Sequence, residues 1–259
     1  MPRILAITNQ KGGVGKTTTT MNLGAGLRLR RKKVLFIDMD PQCSLTYIMG
    51  GDSEGWSVKD LMVNPGLDPV VTIQQLKEGD LIPSHRELGT VEMILTGSDR
   101  AYRLNEALKK LGNRYDYIVI DSPPALSVLT VNIMTAASGV IVPALPDIFS
   151  LQGVGELYGA IEVVREQCNP RLRLYGILLT RDVKRLVLNK SMREMLDETA
   201  KEINTRIFHA TIREAVTVRE AAAVRKSIFS YAPGSKQAQD YGAFVDEFLR
   251  LEASGAWGN

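Results

Sequence analysis

A glycine-rich segment near the amino terminus carries the residue types of a phosphate-binding loop. Lys11-Gly12-Gly13-Val14-Gly15-Lys16-Thr17-Thr18 follows an apolar run over residues 3–8 and precedes a helical pattern that continues to Arg31. Glycines leave backbone N–H groups free to surround phosphate oxygens, a lysine reaches the β- and γ-phosphates, and the adjacent hydroxyl binds Mg²⁺. The segment therefore predicts a nucleotide site at a strand-loop-helix junction.

The loop departs from the usual G-x-x-x-x-G-K-[ST] pattern. Gln10 stands where the first glycine is expected, and a second lysine, Lys11, follows it. The alternative interpretation is a glycine-rich turn without a ligand. Two lysines, three glycines and a pair of threonines in this register favour phosphate binding.

Three aspartates lie at or just beyond the ends of apolar runs further along the chain. Asp38 ends one run, Asp40 lies two residues beyond it, and Asp121 ends another run. Parallel sheets place ligand-binding groups at the carboxyl ends of their strands, so the carboxylate of Asp121 is expected to hold a Mg²⁺-bound water. The alternative is that Asp38 and Asp40 only cap a strand and start the turn at Pro41.

Apolar runs that alternate with helical patterns position these residues. The predicted strands are 3–8, 33–38, 80–83, 115–121, 139–145 and 172–180, and later helices are predicted over 129–137 and 150–168. This alternation predicts an α/β fold of the P-loop NTPase type, a doubly wound, mostly parallel sheet with helices on both faces. A single domain, 1–259, is expected, in which 50–98 is the least regular part.

Composition excludes several classes of protein. Hydrophobic residues make up 44% and charged residues 24% of the chain, as in folded globular proteins rather than disordered ones. The sequence has no apolar stretch of membrane-spanning length and no signal-peptide pattern. Cys43 and Cys168 are far apart and form neither a CxxC pair nor a disulfide framework. We therefore expect a cytoplasmic protein.

The loop from Lys11 to Thr18 resembles the deviant Walker A motif of the ParA/MinD superfamily of P-loop ATPases. Residues 34–42 are similar to that family's switch I motif, and 120–124 to its Walker B and switch II region. The resemblance runs from residue 3 to about 250. Further segments resemble the ParA branch in its short form, and these are 129–132, 139–143, 150–153, 213–222 and 231–235.

The resemblance implies ATP as the nucleotide, Mg²⁺ as the cofactor and a homodimer that forms on ATP. Thr17, Asp40 and Asp121 would surround Mg²⁺, and Asp40 would orient the attacking water. Lys16 would be the catalytic cation within the loop, and Lys11 would reach the partner's nucleotide, so that hydrolysis requires dimerisation. The implied nucleotide-binding residues are Lys11, Gly12, Gly13, Val14, Gly15, Lys16, Thr17, Thr18 and, at an adenine pocket near Thr180, Pro233.

Basic residues are concentrated in the last third of the chain. Between residues 171 and 193, seven lysines and arginines stand against one acid, in a chain whose net charge is +3. The resemblance places DNA contacts in this half; a solvated helix face is the alternative. A second basic run, 28–33, is expected to complement the dipole at the end of the first helix. The residues expected to contact DNA are Lys184, Arg185, Arg213 and Arg219.

The predicted function is that of a partition ATPase. It would dimerise on ATP, bind DNA without sequence specificity, and hydrolyse ATP slowly under stimulation by a ParB-like centromere-binding protein. We expect it to be associated with the nucleoid and to have no membrane partner. Because the chain starts directly at the first strand, no helix-turn-helix extension is expected.

Three alternatives share the phosphate loop. One is a ParA-like ATPase that positions a non-DNA cargo. A second is a MinD-like membrane-surface ATPase, which the scarcity of Lys and Arg in the last residues disfavours. The third is a metabolic P-loop enzyme of the dethiobiotin synthetase type, which Lys11 disfavours.

Overall fold

One sheet forms the centre of the molecule. The computed structural model describes residues 1–182 and 187–255, with the backbone alone for 187–191. The strands in this part of the chain are β1 (Arg3–Ile7), β2 (Val34–Asp38), β3 (Gln74–Leu76), β4 (Gly79–Ile82), β5 (Tyr117–Asp121), β6 (Gly139–Ala144), β7 (Arg173–Asp182) and β8 (Ile212–Arg213). Their order across the sheet is β3-β4-β2-β5-β1-β6-β7-β8.

Helices connect these strands. They are α1 (Lys16–Leu29), α2 (Ser44–Met49), α3 (Val58–Val63), α4 (Val91–Ile94), α5 (Arg103–Lys109), α6 (Val128–Ala136), α7 (Ile148–Gln167), α8 (Val187–Glu202), α9 (Val216–Ala223), α10 (Ile228–Tyr231) and α11 (Lys236–Ala253). Short 3-10 helices cover Pro69–Thr72 and Arg86–Thr90. Among the helices that the structure describes, none is both long and apolar enough to cross a membrane.

The topology confirms the predicted doubly wound α/β fold. Among the described strands, only β3 runs antiparallel to its neighbour, and the remaining pairs are parallel. Since β1 lies in the interior of the sheet, the chain winds outward from it in both directions. All parallel strands therefore end at one edge of the sheet, called here the carboxyl edge, and begin at the other, the amino edge.

Alternate residues of each central strand enter two separate apolar cores. Leu5 and Ile7 of β1 and Phe36 of β2 belong to a core that includes side chains of α1, α2 and α9 to α11. Ala6 of β1 and Leu35 of β2 belong to the opposite core, which includes side chains of α3 to α8. Helices on both faces explain why these strands are nearly continuously apolar.

Several boundaries differ from the sequence prediction. Helix α1 ends at Leu29 rather than Arg31, because Arg31 adopts a left-handed backbone with φ of 62°. Helix α7 begins two residues earlier than predicted because Asp147 caps it, accepting from the backbone N–H of Ser150 at 2.8 Å. The irregular region 50–98 contains the short helices and the strand β4 that were predicted, and also the unpredicted antiparallel strand β3.

Gly24 lets α1 approach β2, and this packing gives a test of the fold. A methyl group at Gly24 would overlap the ring of Phe36, which is fully buried. We expect Gly24→Ala to lower the free energy of unfolding by about 1–3 kcal/mol in urea titrations, because overpacking outweighs the gain in helix propensity. Gly159→Ala, in α7 with open space around the added methyl, is the control and should be neutral or stabilising. Equal effects at the two sites would contradict this packing.

Candidate active site

The glycine-rich loop lies at the carboxyl edge, between β1 and α1. Gly13 and Gly15 have φ of 74° and 90°, a left-handed conformation that residues with a Cβ rarely adopt. Gly15 is the N-cap of α1, and no side chain of the described residues caps this helix start. The first backbone N–H groups of α1 are therefore available to an anion, which the helix dipole also attracts.

Lys16 is a buried cation at the start of α1. Its side chain Nζ donates to the carbonyl oxygen of Lys11 at 3.1 Å. Burial lowers the pKa of Lys16, and the nearby carboxylates of Asp121 and Asp40 partly oppose that effect. The ammonium group is thus held inside the loop, where a phosphate would compensate its charge.

Two further carboxylates are fully buried at the ends of neighbouring strands. Asp38 of β2 and Asp121 of β5 are register partners, which places them side by side. Burial is the main cause of the raised pKa of both groups, and in Asp121 the charge of Asp38 adds to it. Asp121 Oδ1 accepts from the hydroxyl of Thr20 at 3.2 Å, whereas its Oδ2 has no hydrogen-bond partner among the described residues.

This arrangement fits the Mg²⁺ site that the sequence predicts. Oxygen ligands suit Mg²⁺, which in nucleotide sites is held by one or two protein groups together with phosphates and water. The unpartnered Oδ2 of Asp121 supplies such an oxygen, and the Thr17 hydroxyl lies near enough to lower the pKa of that carboxyl. Asp40, only 9% exposed, completes the group of oxygens predicted here.

Asp38 fixes the segment that carries Asp40. Its Oδ2 accepts from the backbone N–H and the hydroxyl of Thr46, both at 2.7 Å, and its Oδ1 accepts from the N–H of Asp40 at 3.1 Å. The Thr46 hydroxyl in turn accepts from the N–H of Ser84, at 2.9 Å. Asp38 therefore connects β2, α2 and the residues after β4 by hydrogen bonds. It does more than cap a strand, which was the alternative interpretation of this residue.

Lys11 lies on the rim of the loop and pairs within its own chain. Its Nζ is 2.6 Å from Oδ2 of Asp147, the residue that caps α7, and 5.4 Å from the ring centre of Phe149. Phe149 is 68% exposed. The two lysines of the loop therefore differ in environment: Lys16 is buried beside carboxylates, and Lys11 is half-buried beside an exposed aromatic ring.

A pocket of about 220 Å³ opens beside the loop. Thr180 of β7 joins it to the loop by donating its hydroxyl to the carbonyl of Val14 at 2.7 Å. Pro233 is exposed in the turn before α11 and is not among the residues that line this pocket; its role at an adenine pocket stays a prediction. The lining residues are Gly13, Gly15, Thr18, Thr180, Arg181, Ile212, Arg213, Glu214, Ala215, Val218, Arg219 and Tyr241.

Two of the predicted DNA-contacting residues lie in this pocket instead of on a separate basic face. Strand β8 pairs with β7, and this pairing brings Arg213 and Arg219 beside the phosphate loop. The guanidinium of Arg213 makes two bonds of 2.7 Å to the carboxylate of Asp240, which compensates its charge. Lys184 and Arg185 lie outside the described residues.

Sequence reasoning missed several residues of the site, among them Asp147, Thr46 and Tyr241. Asp147 is visible in retrospect as the first residue of a D-x-x-S helix-capping pattern. Thr46 and Tyr241 have no comparable signal, because their positions depend on contacts between distant segments.

Comparisons with known proteins show which family this chain resembles. Residues 2–174 match a family described as "AAA domain". The chromosome partitioning protein ParA of Caulobacter vibrioides is 37% identical, with 96% of this chain and 95% of the relative covered. The sporulation initiation inhibitor protein Soj of Bacillus subtilis is 35% identical, with 93% and 96% covered.

Solved structures show the same fold with nucleotides bound. The cobyrinic acid a,c-diamide synthase of Mycobacterium smegmatis, with ADP and magnesium, superposes with a TM-score of 0.85 at 34% identity, over 98% of this chain and 97% of that one. A plasmid partition protein of Borrelia burgdorferi bound to AMPPNP gives 0.79 at 25% identity, over 96% and 99%. From its phosphate loop, its sheet order and these relatives, the chain belongs to the ParA/MinD superfamily of P-loop ATPases as a ParA-like member.

Proposed function

We propose that this ParA-like ATPase is a partition ATPase whose ATP-bound homodimer binds DNA without sequence specificity. A ParB-like centromere-binding protein would stimulate its slow hydrolysis. The observation that carries the proposal is the presence of two lysines with different environments in one phosphate loop. Lys16 serves the nucleotide of its own protomer, and Lys11, at the rim, is the cation available to a second protomer. The names of the Caulobacter relative and of the Borrelia structure support the partition role.

The residues of the site have different roles in the proposed hydrolysis of ATP. Phosphoryl transfer to water needs a positioned nucleophile and positive charge around the γ-phosphate. The loop N–H groups and Lys16 would hold the phosphates, and Thr17 and Asp121 would hold Mg²⁺, which would neutralise phosphate charge. Asp40, fixed through Asp38, orients the attacking water.

The carboxyl edge also offers a surface for the second protomer. Ile148, Phe149 and Leu126 are large apolar residues that follow β6 or β5 at this edge, and all three are exposed. Exposed apolar side chains beside a ligand site are typical of interaction surfaces. Lys11 must leave Asp147 to reach the nucleotide of the partner, so dimerisation exchanges an internal ion pair for one across the interface.

Helix α11 is relevant to the alternative of a MinD-like membrane-surface ATPase. Its apolar side chains Tyr241, Phe244, Val245 and Phe248 are buried in the core of the molecule. A membrane-surface helix needs that face for lipid. Within the part of the chain that is described, α11 is therefore occupied by the fold, which favours DNA over a lipid surface as the partner.

A metabolic ligase is the second candidate, since the Mycobacterium smegmatis structure carries the name of a diamide synthase. Such an enzyme uses ATP to activate a carboxyl group of a small substrate. Its ATP turnover would depend on that substrate, whereas a partition ATPase hydrolyses ATP slowly on its own. Steady-state hydrolysis in the absence of any small acid separates the two.

Lys16→Ala tests the phosphate loop. A charge-assisted hydrogen bond is worth about 1.5–3 kcal/mol, so we expect ATP affinity to fall by roughly 10- to 150-fold. Titration with a fluorescent ATP analogue and Mg²⁺ measures this loss. Lys59→Ala removes a surface lysine that pairs with Glu87 and should leave affinity unchanged. Normal affinity in Lys16→Ala would refute the assignment.

Lys11→Ala should separate nucleotide binding from dimerisation. We expect the variant to bind ATP as a monomer and to lose both the dimer and turnover, as measured by light scattering after size exclusion and by phosphate release. Asp147→Asn is the matched variant, because asparagine still caps α7 while Lys11 loses its internal partner. It should dimerise at least as well as the parent chain. A Lys11→Ala protein that dimerises and turns over normally would disprove the role of Lys11.

Asp40→Ala tests the proposed function as a whole. Orienting water is a transition-state role, so ATP binding and dimerisation should persist while hydrolysis stops. The trapped dimer should bind duplexes of unrelated sequence, with an affinity that falls steeply as salt rises, and the nucleotide-free protein should not. Fluorescence anisotropy across a salt series measures both. Binding to anionic vesicles but not to DNA would overturn the proposal in favour of a membrane-surface ATPase.

A further inference from the structure

Helix α2 begins without a cap from the residue that precedes it. Cys43 occupies the N-cap position, its backbone is left-handed with φ of 55°, and its side chain accepts no hydrogen bond from the first turn. The first turn of a helix leaves backbone N–H groups without partners, and a polar side chain at the N-cap normally accepts from one of them. The start of α2 is therefore held by a residue from elsewhere in the chain.

The carboxylate of Asp38 supplies the missing acceptor. Its Oδ2 accepts from the backbone N–H of Thr46, in the first turn of α2, and from the Thr46 hydroxyl, both at 2.7 Å. Asp38 is the last residue of β2, so these two bonds attach the helix to the carboxyl edge of the sheet. The loop between the strand and the helix, residues 39–43, carries Asp40.

The hydroxyl of Thr46 both donates and accepts. A hydroxyl has one proton to donate, and the backbone N–H of Ser84 is the donor in its 2.9 Å contact with Thr46 Oγ1. The proton of the Thr46 hydroxyl is therefore directed at Asp38. Thr46 and Ser84 are 1% and 0% exposed, so removing the hydroxyl would leave a buried N–H without an acceptor.

The segment after β4 contacts the loop 39–43 at a second point. A methyl group added at Gly89 would lie 3.7 Å from the ring of Pro41, so these two residues are neighbours. Residues 84–89 therefore contact the loop directly and the start of α2 through the Thr46 hydroxyl. Three segments that are distant in sequence meet around Asp40.

Asp40 is oriented by two short-range hydrogen bonds. Its backbone N–H donates to Oδ1 of Asp38 at 3.1 Å, and its own Oδ1 accepts from the N–H of Gln42 at 2.9 Å. A displacement of about 1 Å at a catalytic group can lower a rate roughly 100-fold. The position of Asp40 depends on Asp38, and Asp38 is fixed in turn by Thr46.

We propose that Thr46 is a positioning residue for ATP hydrolysis, whose hydroxyl keeps Asp38, and through it Asp40, in place for the attacking water. Thr46 acts through Asp38 rather than on the nucleotide, because its hydroxyl is engaged by Asp38 and Ser84. The inference rests on the role proposed for Asp40. It does not depend on DNA or on a stimulating partner.

The test removes the Thr46 hydroxyl and compares the result with the same change at another buried threonine. Thr46→Val keeps the shape of the side chain, and Thr46→Ala removes the same hydroxyl without adding a methyl group. Thr72→Val is the matched control, since Thr72 is also 1% exposed and donates its hydroxyl to the carbonyl of Pro69 at 2.8 Å, outside the candidate site. Thr46→Ser restores the hydroxyl. Urea unfolding, ATP affinity, assembly on ATP and steady-state hydrolysis are measured for each protein.

We expect both variants without the Thr46 hydroxyl to lose at least about 10-fold in kcat, while KM and ATP affinity change by less than about 3-fold. An orienting role is exercised in the transition state, so it affects turnover and not binding. Thr72→Val should lower the urea midpoint by a similar amount and keep the parent kcat. Thr46→Ser should recover most of the lost rate.

Several outcomes would overturn the positioning role. They are a kcat equal to that of Thr72→Val in whichever hydroxyl-free variant folds, a loss of ATP affinity or assembly with kcat retained, and a Thr46→Ser protein as slow as Thr46→Val. Asp40→Ala is measured in the same series. If it hydrolyses ATP at the parent rate, the proposed role of Asp40 and this inference fail together. An inactive Asp40→Ala beside a fully active Thr46→Val would refute the role of Thr46 alone and leave the proposed function intact.

Discussion

Charged groups removed from water meet at the carboxyl edge of the sheet, and the site depends on how their charges are compensated. Asp38 and Asp121 are fully buried side by side, and Lys16 is buried near them. Desolvation raises the pKa of both carboxyls and lowers that of the ammonium, so each group is poorly stabilised in its charged form. A nucleotide phosphate beside Lys16 and a divalent cation beside Asp121 would supply the missing counter-charges. The burial of these three groups therefore favours binding of both ligands.

Asp38 also connects the candidate site to the surrounding structure by hydrogen bonds. Asp38 is shared between Thr46 at the start of α2 and the backbone of Asp40, and Thr46 extends the chain of hydrogen bonds to Ser84 beyond β4. Asp38 therefore connects the predicted metal site with the segment that carries Asp40, the residue proposed to orient the attacking water. On the other side of the loop, the Lys11–Asp147 pair links the rim to the first turn of α7. The loop thus has a half-exposed ion pair at its rim and a buried hydrogen-bond network at its base.

The two edges of the sheet carry different kinds of residues. The carboxyl edge carries the nucleotide loop and exposed apolar residues, which suit a ligand site enclosed by a second protomer. The amino edge carries exposed cations before β2, β4, β5 and β7. A parallel sheet makes this division possible because every crossover returns the chain to the same edge.

Most of the candidate site could be predicted from the sequence alone. The spacing of Gly13, Gly15 and Lys16 and the aspartates that end apolar runs predicted the loop, the fold and the neighbouring carboxylates, because each of these signals is local to a strand end or a turn. The positions of Pro233, Arg213 and the basic run 28–33 depend on the tertiary structure and could not be predicted from local sequence. Strand β8 is only two residues long and β3 three, so neither has a detectable pattern, yet β8 moves Arg213 to the nucleotide pocket. Whether a cation is paired or free depends on partners distant in sequence, such as Asp240 for Arg213, and only the folded chain brings such partners together.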